Sequence, residues 1–473
     1  MLHEHIASQI YANFGFTPTF GQKKIVEKLS LWLADGDHSG IFILNGYAGT
    51  GKTSLTAAFV AALKSLKIKP VLMAPTGRAA KVMSRHTGEK ATTIHKKIYR
   101  QRSTSAPEGS FSLDMNREKD ACFIVDEASM ISVSSSEGSI FGSGSLLEDL
   151  FRYVRSGTRC RIIFVGDDAQ LPPVGHDRSP ALDPEYMSVF GDVTYGTLDE
   201  VMRHGTDSGI LFNATMVRCM LEAEIYEAPI FNMEYPDFKA VQGGEFIELV
   251  ENCYSKYGKD ETIIITRSNK RANRFNEGVR RNILFAEEEI ESGDMLMVVK
   301  NNYHFTEREE EPKLDFIANG DIARLERLRR SEEFYGFRFA EARLRFPDYD
   351  DYELECKILL DTLSSEAPAL TGDQSSRLFY AVAEDYPEIK SKMKLYKEVR
   401  ESPYYNAVQI KFAYAVTAHK AQGGEWKAVF VDRMLFGDEP MSRDLMRWLY
   451  TALTRASEQV YLVNFDERFF DKK

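Results

Sequence analysis

Gly46-Tyr-Ala-Gly-Thr-Gly51-Lys52-Thr53 reads as G-x-x-x-x-G-K-[ST], and its surroundings decide the fold. Residues 41–44 before it form a short β-branched apolar run, the pattern of a buried strand. Residues 54–66 after it have the spacing of a helix. A glycine-rich loop between a strand and a helix can curl its backbone N–H groups around phosphate oxygens, and the helix adds the positive end of its dipole. Gly46, Gly49, Thr50 and Gly51 are the expected cradle. Lys52 is expected at the β/γ-phosphates of ATP, and the Thr53 hydroxyl on Mg²⁺.

Outward from this loop the same texture repeats. Residues 70–74, 121–125 and 161–165 read as further apolar strands, and 77–85 as a helix. Strands alternating with helices predict α/β architecture with a parallel sheet. A second α/β unit begins near residues 262–266 and resumes after Ile410. The segments between, 294–300, 321–328 and 341–346, look like strands joined by turns such as Asn319-Gly320, followed by a helical stretch at 376–400. The expected layout has two parallel-sheet P-loop domains. The first is 1–205, with a small β-hairpin insertion at 96–119. The second is 206–288 plus 409–473, interrupted at 289–408 by a small β-barrel with a helical excursion. Residues 132–145 are rich in Ser and Gly and read as a loop.

Two more strand ends carry chemistry. Phe123-Ile-Val-Asp126-Glu127 closes a strand with two carboxylates. Downstream of a phosphate loop, Asp126 is expected in the Mg²⁺ shell and Glu127 as the group that polarises the attacking water. Gly166-Asp-Asp-Ala-Gln170 follows the next strand, and the Gln170 amide can donate to a phosphate oxygen or to water.

At 473 residues the chain has room for two to four domains. Its net charge of −11 excludes indiscriminate grip on nucleic acid, so such a partner requires a local basic groove. The five cysteines are scattered without CxxC spacing, which argues against a zinc module or a disulfide framework and for a reducing compartment. No stretch approaches the ~20 apolar residues of a membrane span, and the first residues do not read as a signal peptide. The expectation is a cytoplasmic monomer with no membrane partner.

The order of these three motifs resembles superfamily 1 helicases. Ala74-Pro-Thr-Gly-Arg-Ala-Ala80, Thr93-Ile-His95, Ala418-His-Lys-Ala-Gln-Gly-Gly-Glu425 and Tyr450-Thr-Ala-Leu-Thr-Arg-Ala456 resemble its 1B branch, the RecD-like and Dda-like helicases, and the likeness runs from about Thr19 to Phe465. The resemblance implies two RecA-like domains, an SH3-like barrel, and an ATP-dependent helicase moving 5′-to-3′ on single-stranded DNA. Single-stranded and tailed duplex DNA are the implied partners, with other DNA-repair or replication proteins beside them. It implies that Gln22, in Thr19-Phe-Gly-Gln22, reads adenine, although a surface glutamine fits the same string. It implies that Arg203 and Arg455 are arginine fingers, with a surface ion pair as the lesser reading of Arg203, and that Gly424 and Glu425 face the nucleotide.

On the strand side the resemblance implies contacts from Pro75, Thr76, Thr93, His95, Thr417 and His419. His95 reads equally well as a helix cap or a core histidine. Phe111 is the candidate strand-separating wedge or a packing anchor. Arg267, Lys270, Arg271, Arg274, Arg280 and Arg281 form a basic run that is either a DNA groove or a solvated helix face. Two rival functions stay open: an RNA-directed helicase of the same superfamily, and a DNA-gated ATPase switch that does not unwind.

Overall fold

The computed structural model describes residues 2–101, 111–133, 142–200, 208–241, 243–302, 304, 317–433 and 440–470. Among these residues the first sheet has six parallel strands: β1 (Ile41–Gly46), β2 (Lys69–Ala74), β3 (Ala91–Thr93), β6 (Ala121–Val125), β7 (Arg161–Gly166) and β8 (Val193–Leu198), in the spatial order β3-β2-β6-β7-β1-β8. Strand residues alternate between two cores, as the period of two requires. Phe42 and Leu44 pack with Ile25, Leu29 and Phe59 on one face. Ile41 and Ile43 pack with Phe123, Leu150 and Phe151 on the other. Helices cover both faces, which is why the strands are apolar on both sides.

The expected hairpin in the first domain is present. β4 (Tyr99–Gln101) and β5 (Phe111–Leu113) pair antiparallel, Gln101 opposite Phe111.

The second sheet joins β9 (Phe238–Val241), β10 (Thr262–Thr266), β16 (Ala415–Thr417), β17 (Trp426–Asp432) and β18 (Ala456–Val463), in the order β16-β10-β17-β18-β9, all parallel. Between β10 and β16 the chain leaves the sheet to build a closed barrel from β11 (Met295–Val298), β12 (Ile322–Phe334), β13 (Phe337–Phe346), β14 (Tyr352–Leu359) and β15 (Val408–Phe412). The fold is thus two RecA-like parallel-sheet domains with a barrel inserted in the second. The helical excursion is two helices, Gly372–Ala383 and Lys392–Glu401, which pack Leu378, Val382 and Val399 on Phe337 and Phe339 of the long barrel hairpin. No described helix is long and apolar enough to cross a membrane.

Arg280 fastens the barrel to its host domain. It lies on the helix Asn269–Asn282 and pairs at 3.0 Å with Asp294, both side chains being buried. The Tyr414 hydroxyl donates to the same carboxylate at 2.8 Å. Removing one partner of a buried pair strands the other charge, so Arg280→Ala should cost about 3–5 kcal/mol. Urea unfolding of the variant tests this, and a loss below about 1 kcal/mol, the scale of a surface pair, would refute it.

Candidate functional site

The phosphate loop joins β1 to the helix Lys52–Ser65. Gly49 and Gly51 hold left-handed φ of 73° and 81°, conformations that a side chain resists. At Gly46 even a Cβ would come within 2.7 Å of the Lys52 stem. The helix begins without a side-chain cap on Gly51, so its first amides point into the loop with no cap competing for them. The Lys52 ammonium folds back to donate to the carbonyls of Gly46 and Tyr47, the latter at 2.9 Å, and stands 4.0 Å from the Asp167 carboxylate. Thr53 is exposed in the first turn of the helix. Thr50 is buried, its hydroxyl donating to the Tyr47 carbonyl at 2.7 Å.

Asp126 and Glu127 leave the end of β6 beside this loop. Burial, and then the neighbouring Glu127 charge, push the Asp126 carboxyl up to about 6. The Glu127 amide donates to Asp126 Oδ1 at 2.9 Å. Glu127 holds a φ of 50°, an unfavourable conformation for a residue with a Cβ, which places its carboxylate toward the second domain. There Arg455 meets it, NH1 at 3.8 Å from Glu127 Oε1. Arg455 follows the helix Arg443–Leu453 and is aimed by its own bonds, Nε to the Thr451 carbonyl and NH1 to the Gly424 carbonyl, each at 3.2 Å.

The remaining expected nucleotide residues take different places. Gln170 lies in the turn after β7 and does not extend from the strand end. Its amide N–H is 3.4 Å from Asp167, and its buried carbonyl oxygen has no protein partner. Gln22 is fully buried, so it is not a surface glutamine. It closes a capping box with Thr19, and its amide N–H reaches the Thr50 carbonyl at 3.4 Å. Glu425 is exposed, its carbonyl taking a bond from Arg78 at 2.8 Å. Arg203 lies outside the described residues.

Asp126 and Thr53 fit Mg²⁺ by chemistry, one carboxylate and one hydroxyl oxygen for a hard cation. Among the described residues no group of three or more His, Cys, Asp or Glu could hold a metal alone. This donor set therefore suits an ion that arrives with phosphate oxygens.

A cavity of about 260 Å³ opens where both domains and the barrel meet. Of the seven residues expected at nucleic acid, Pro75, Thr76, His95 and His419 line it, and Thr93, Phe111 and Thr417 do not. Thr93 is buried as the cap of the helix Ile94–Ile98, its hydroxyl accepting from the Lys96 amide. Phe111 stands at the end of the paired strands next to residues 102–110, opposite Gln101, and is partly buried against the first-domain core, as a packing anchor would be. The hairpin tip, 102–110, lies outside the described residues. Burial lowers the His95 imidazole to about 4, and burial lowers His419 as well. Both are therefore neutral near pH 7 and serve as hydrogen-bonding groups, not as cations.

The basic run is mostly committed to structure. Besides Arg280, Arg271 pairs with buried Asp432 at 2.8 Å, Lys270 with Glu366 at 3.1 Å and Arg281 with Glu277 at 3.0 Å. None of the six lines the cavity.

Residues 34–176 match the AAA domain family, and residues 412–463 match the UvrD-like helicase C-terminal domain. The chain is similar to the ATP-dependent RecD2 DNA helicase of Deinococcus radiodurans, 32% identical over 28% of this chain and 16% of that protein. It is similar to the ATP-dependent DNA helicase dda of Enterobacteria phage T4, 31% identical over 37% of each. The matched stretches thus span well under two thirds of these relatives. Over these stretches the chain is similar to superfamily 1 helicases of the RecD and Dda kind. The fold also aligns with the Pif1 helicase from Bacteroides in complex with ADP-AlF3 and ssDNA, at TM-score 0.48 and 14% identity, over 97% of this chain and 95% of that one.

Sequence reasoning missed four polar residues of the cavity: Lys420, Gln422, Asn301 and Asn319. Lys420 was in view within Ala418–Ala421, and its ammonium donates to Asn319 Oδ1. Asn319 was read only as half of a turn, and the turn's position over the cavity depends on the barrel closing. Among the described residues no carboxylate lines the cavity, and Lys420 is their cation. Burial lowers that ammonium to about 8.

Proposed function

We propose that the chain is an ATP-dependent DNA helicase that moves 5′-to-3′ on single-stranded DNA and unwinds duplex. The observation that carries this is Arg455, which comes from the second domain to within 3.8 Å of Glu127 in the first. An NTPase whose finger crosses a domain junction couples hydrolysis to relative domain movement. In this reading the loop amides of Gly49 to Thr53 and Lys52 bind the triphosphate, and Glu127 takes a proton from the attacking water. Gln170, with one buried amide oxygen free, orients that water or the γ-phosphate. Arg455, with Arg203, meets the charge that develops on the transferred group. Asp126 and Thr53 would hold Mg²⁺, which when bound neutralises phosphate charge. Residues 1–205 form one lobe, residues 206–288 with 409–473 the other, and 289–408 the inserted module.

The cavity supports the strand half of the reading, because both lobes and the barrel line it and no carboxylate repels a phosphate there. With one lining cation, affinity should fall with salt on a modest slope, about 0.7 per phosphate neutralised. Because burial keeps His95 neutral while Lys420 gains its proton as pH falls through about 8, strand affinity should rise from about pH 9 to about pH 7 and then level off. Fluorescence anisotropy of labelled oligothymidylate measures both, and a further rise in affinity below about pH 7 would show that an imidazole charges in the complex. Function is tested by ATP turnover with and without single-stranded DNA and by unwinding of 5′-tailed against 3′-tailed duplexes. The expected result is strand-stimulated turnover and a 5′-tail requirement. A 3′-tail requirement overturns the direction, stimulation by RNA alone moves the substrate class, and turnover without unwinding leaves a switch.

A further inference from the structure

The helix that delivers Arg455 makes a second crossing of the lobe junction that the proposed hydrolysis steps do not use. Tyr450 is fully buried on it, and its hydroxyl donates to Asp167 Oδ2 at 2.7 Å. The Tyr450 hydroxyl oxygen in turn accepts the Ala48 amide of the phosphate loop at 2.9 Å. Ala48 lies inside the loop, between Gly46 and Gly49, so its amide is committed to this bond. The next residue, Thr451, is also buried, and its hydroxyl accepts the Leu171 amide at 2.9 Å. Gln422 donates to the Leu171 carbonyl at 2.7 Å, so the second lobe holds Leu171 by both its backbone N–H and its backbone carbonyl.

Asp167 is where these lines meet. It is buried and also accepts from the Ala169 amide at 3.1 Å and from the Gln170 side chain at 3.4 Å, with the Lys52 ammonium 4.0 Å away. The phenol therefore touches the phosphate loop directly. Through one carboxylate it also touches the lysine set for the phosphates and the glutamine set for the water.

We propose that Tyr450 is a positioning residue that locks the helix Arg443–Leu453 to the phosphate loop and Asp167, and so fixes where Arg455 arrives. This rests on the proposed ATP hydrolysis. Phenols have one donor and can accept as well, and here both capacities are used across a domain junction, so the hydroxyl sets register in a way that ring packing alone does not. When phosphate draws Lys52 off the Gly46 and Tyr47 carbonyls, the charge beside Asp167 shifts and the Tyr450 bond shifts with it. That links loop occupancy to the position of the finger.

Tyr450→Phe in the full chain keeps the buried ring and removes the hydroxyl. Turnover at saturating ATP and oligothymidylate should fall about tenfold or more, since small misplacements of a catalytic group cost on that scale. The KM for ATP should change less than about twofold, and the thermal midpoint should hold. Adding Arg455→Ala to Tyr450→Phe should lose little beyond Arg455→Ala alone, because the hydroxyl acts through the finger. Multiplicative losses in the double variant, or an unchanged turnover number, overturn the proposal.

A second measurement does not need hydrolysis. Hydrogen exchange with Mg²⁺ and a non-hydrolysable ATP analogue should show residues 446–455 gaining protection in the native chain and not in Tyr450→Phe. Equal gains in both, or none in either, overturn it. A native chain that gains protection yet never hydrolyses ATP refutes the helicase reading and leaves the lock standing.

Discussion

Arg455→Ala slows ATP hydrolysis by about 10³–10⁵-fold while ATP affinity changes little; this is the expected result for a finger that acts on transition-state charge. The guanidinium has few other duties. Its bonds to the carbonyls of Thr451 and Gly424 aim it, and the Glu127 carboxylate is its ionic partner in the structure. Glu127 is partly exposed at 22%, so the pair contributes little to stability and the variant should fold. Single-turnover hydrolysis and equilibrium binding of a labelled nucleotide separate the two effects. Equal losses in both would make Arg455 a ground-state phosphate contact and remove the coupling of chemistry to domain closure.

Glu127→Gln should bind ATP and hydrolyse it about 10²–10⁴-fold more slowly. The amide keeps the shape and loses the base. The left-handed backbone at Glu127 is the same for either side chain, so the strain there does not change. The metal-holding charge stays on Asp126. If affinity for ATP collapses instead, Glu127 holds the ion and the roles of the two carboxylates are exchanged. A quenched-flow burst with the variant, read against nucleotide retention on a filter, distinguishes these results.

What could be read from the residue order was what is local. A phosphate loop is eight consecutive residues whose glycines, lysine and flanking periodicity state the geometry by themselves. The alternation of apolar strands and helices likewise announced the parallel sheets, and the β texture after Asp294 announced the barrel. Relations between distant segments were not legible. Nothing near Tyr450 says that its hydroxyl lies against Ala48, and nothing near Asn319 says that a turn of the barrel roofs a cavity floored by Pro75 and His419. The basic run on the helix Asn269–Asn282 left two readings open, because two acidic partners that consume it, Asp294 and Asp432, sit elsewhere in the chain. Thr93 shows a third limit. A small hydroxyl before a short helix is both a good phosphate contact and a good cap, and here the cap won.

The placement of β9 bears on how the molecule is made. In the second sheet this edge strand has one neighbour, β18, which is the last strand of that sheet in chain order. The interior strand β10 waits similarly: the Thr266 hydroxyl donates to the Val416 carbonyl, 150 residues further on. While a ribosome is still adding residues, the first lobe has all its strands from residue 198 onward and can fold, but β9 and β10 remain unpaired apolar segments. Such long-range parallel pairing is slow and exposes strand edges meanwhile. Newly synthesised chains should therefore be vulnerable to proteases and to self-association in the second lobe, well after the phosphate loop has taken shape.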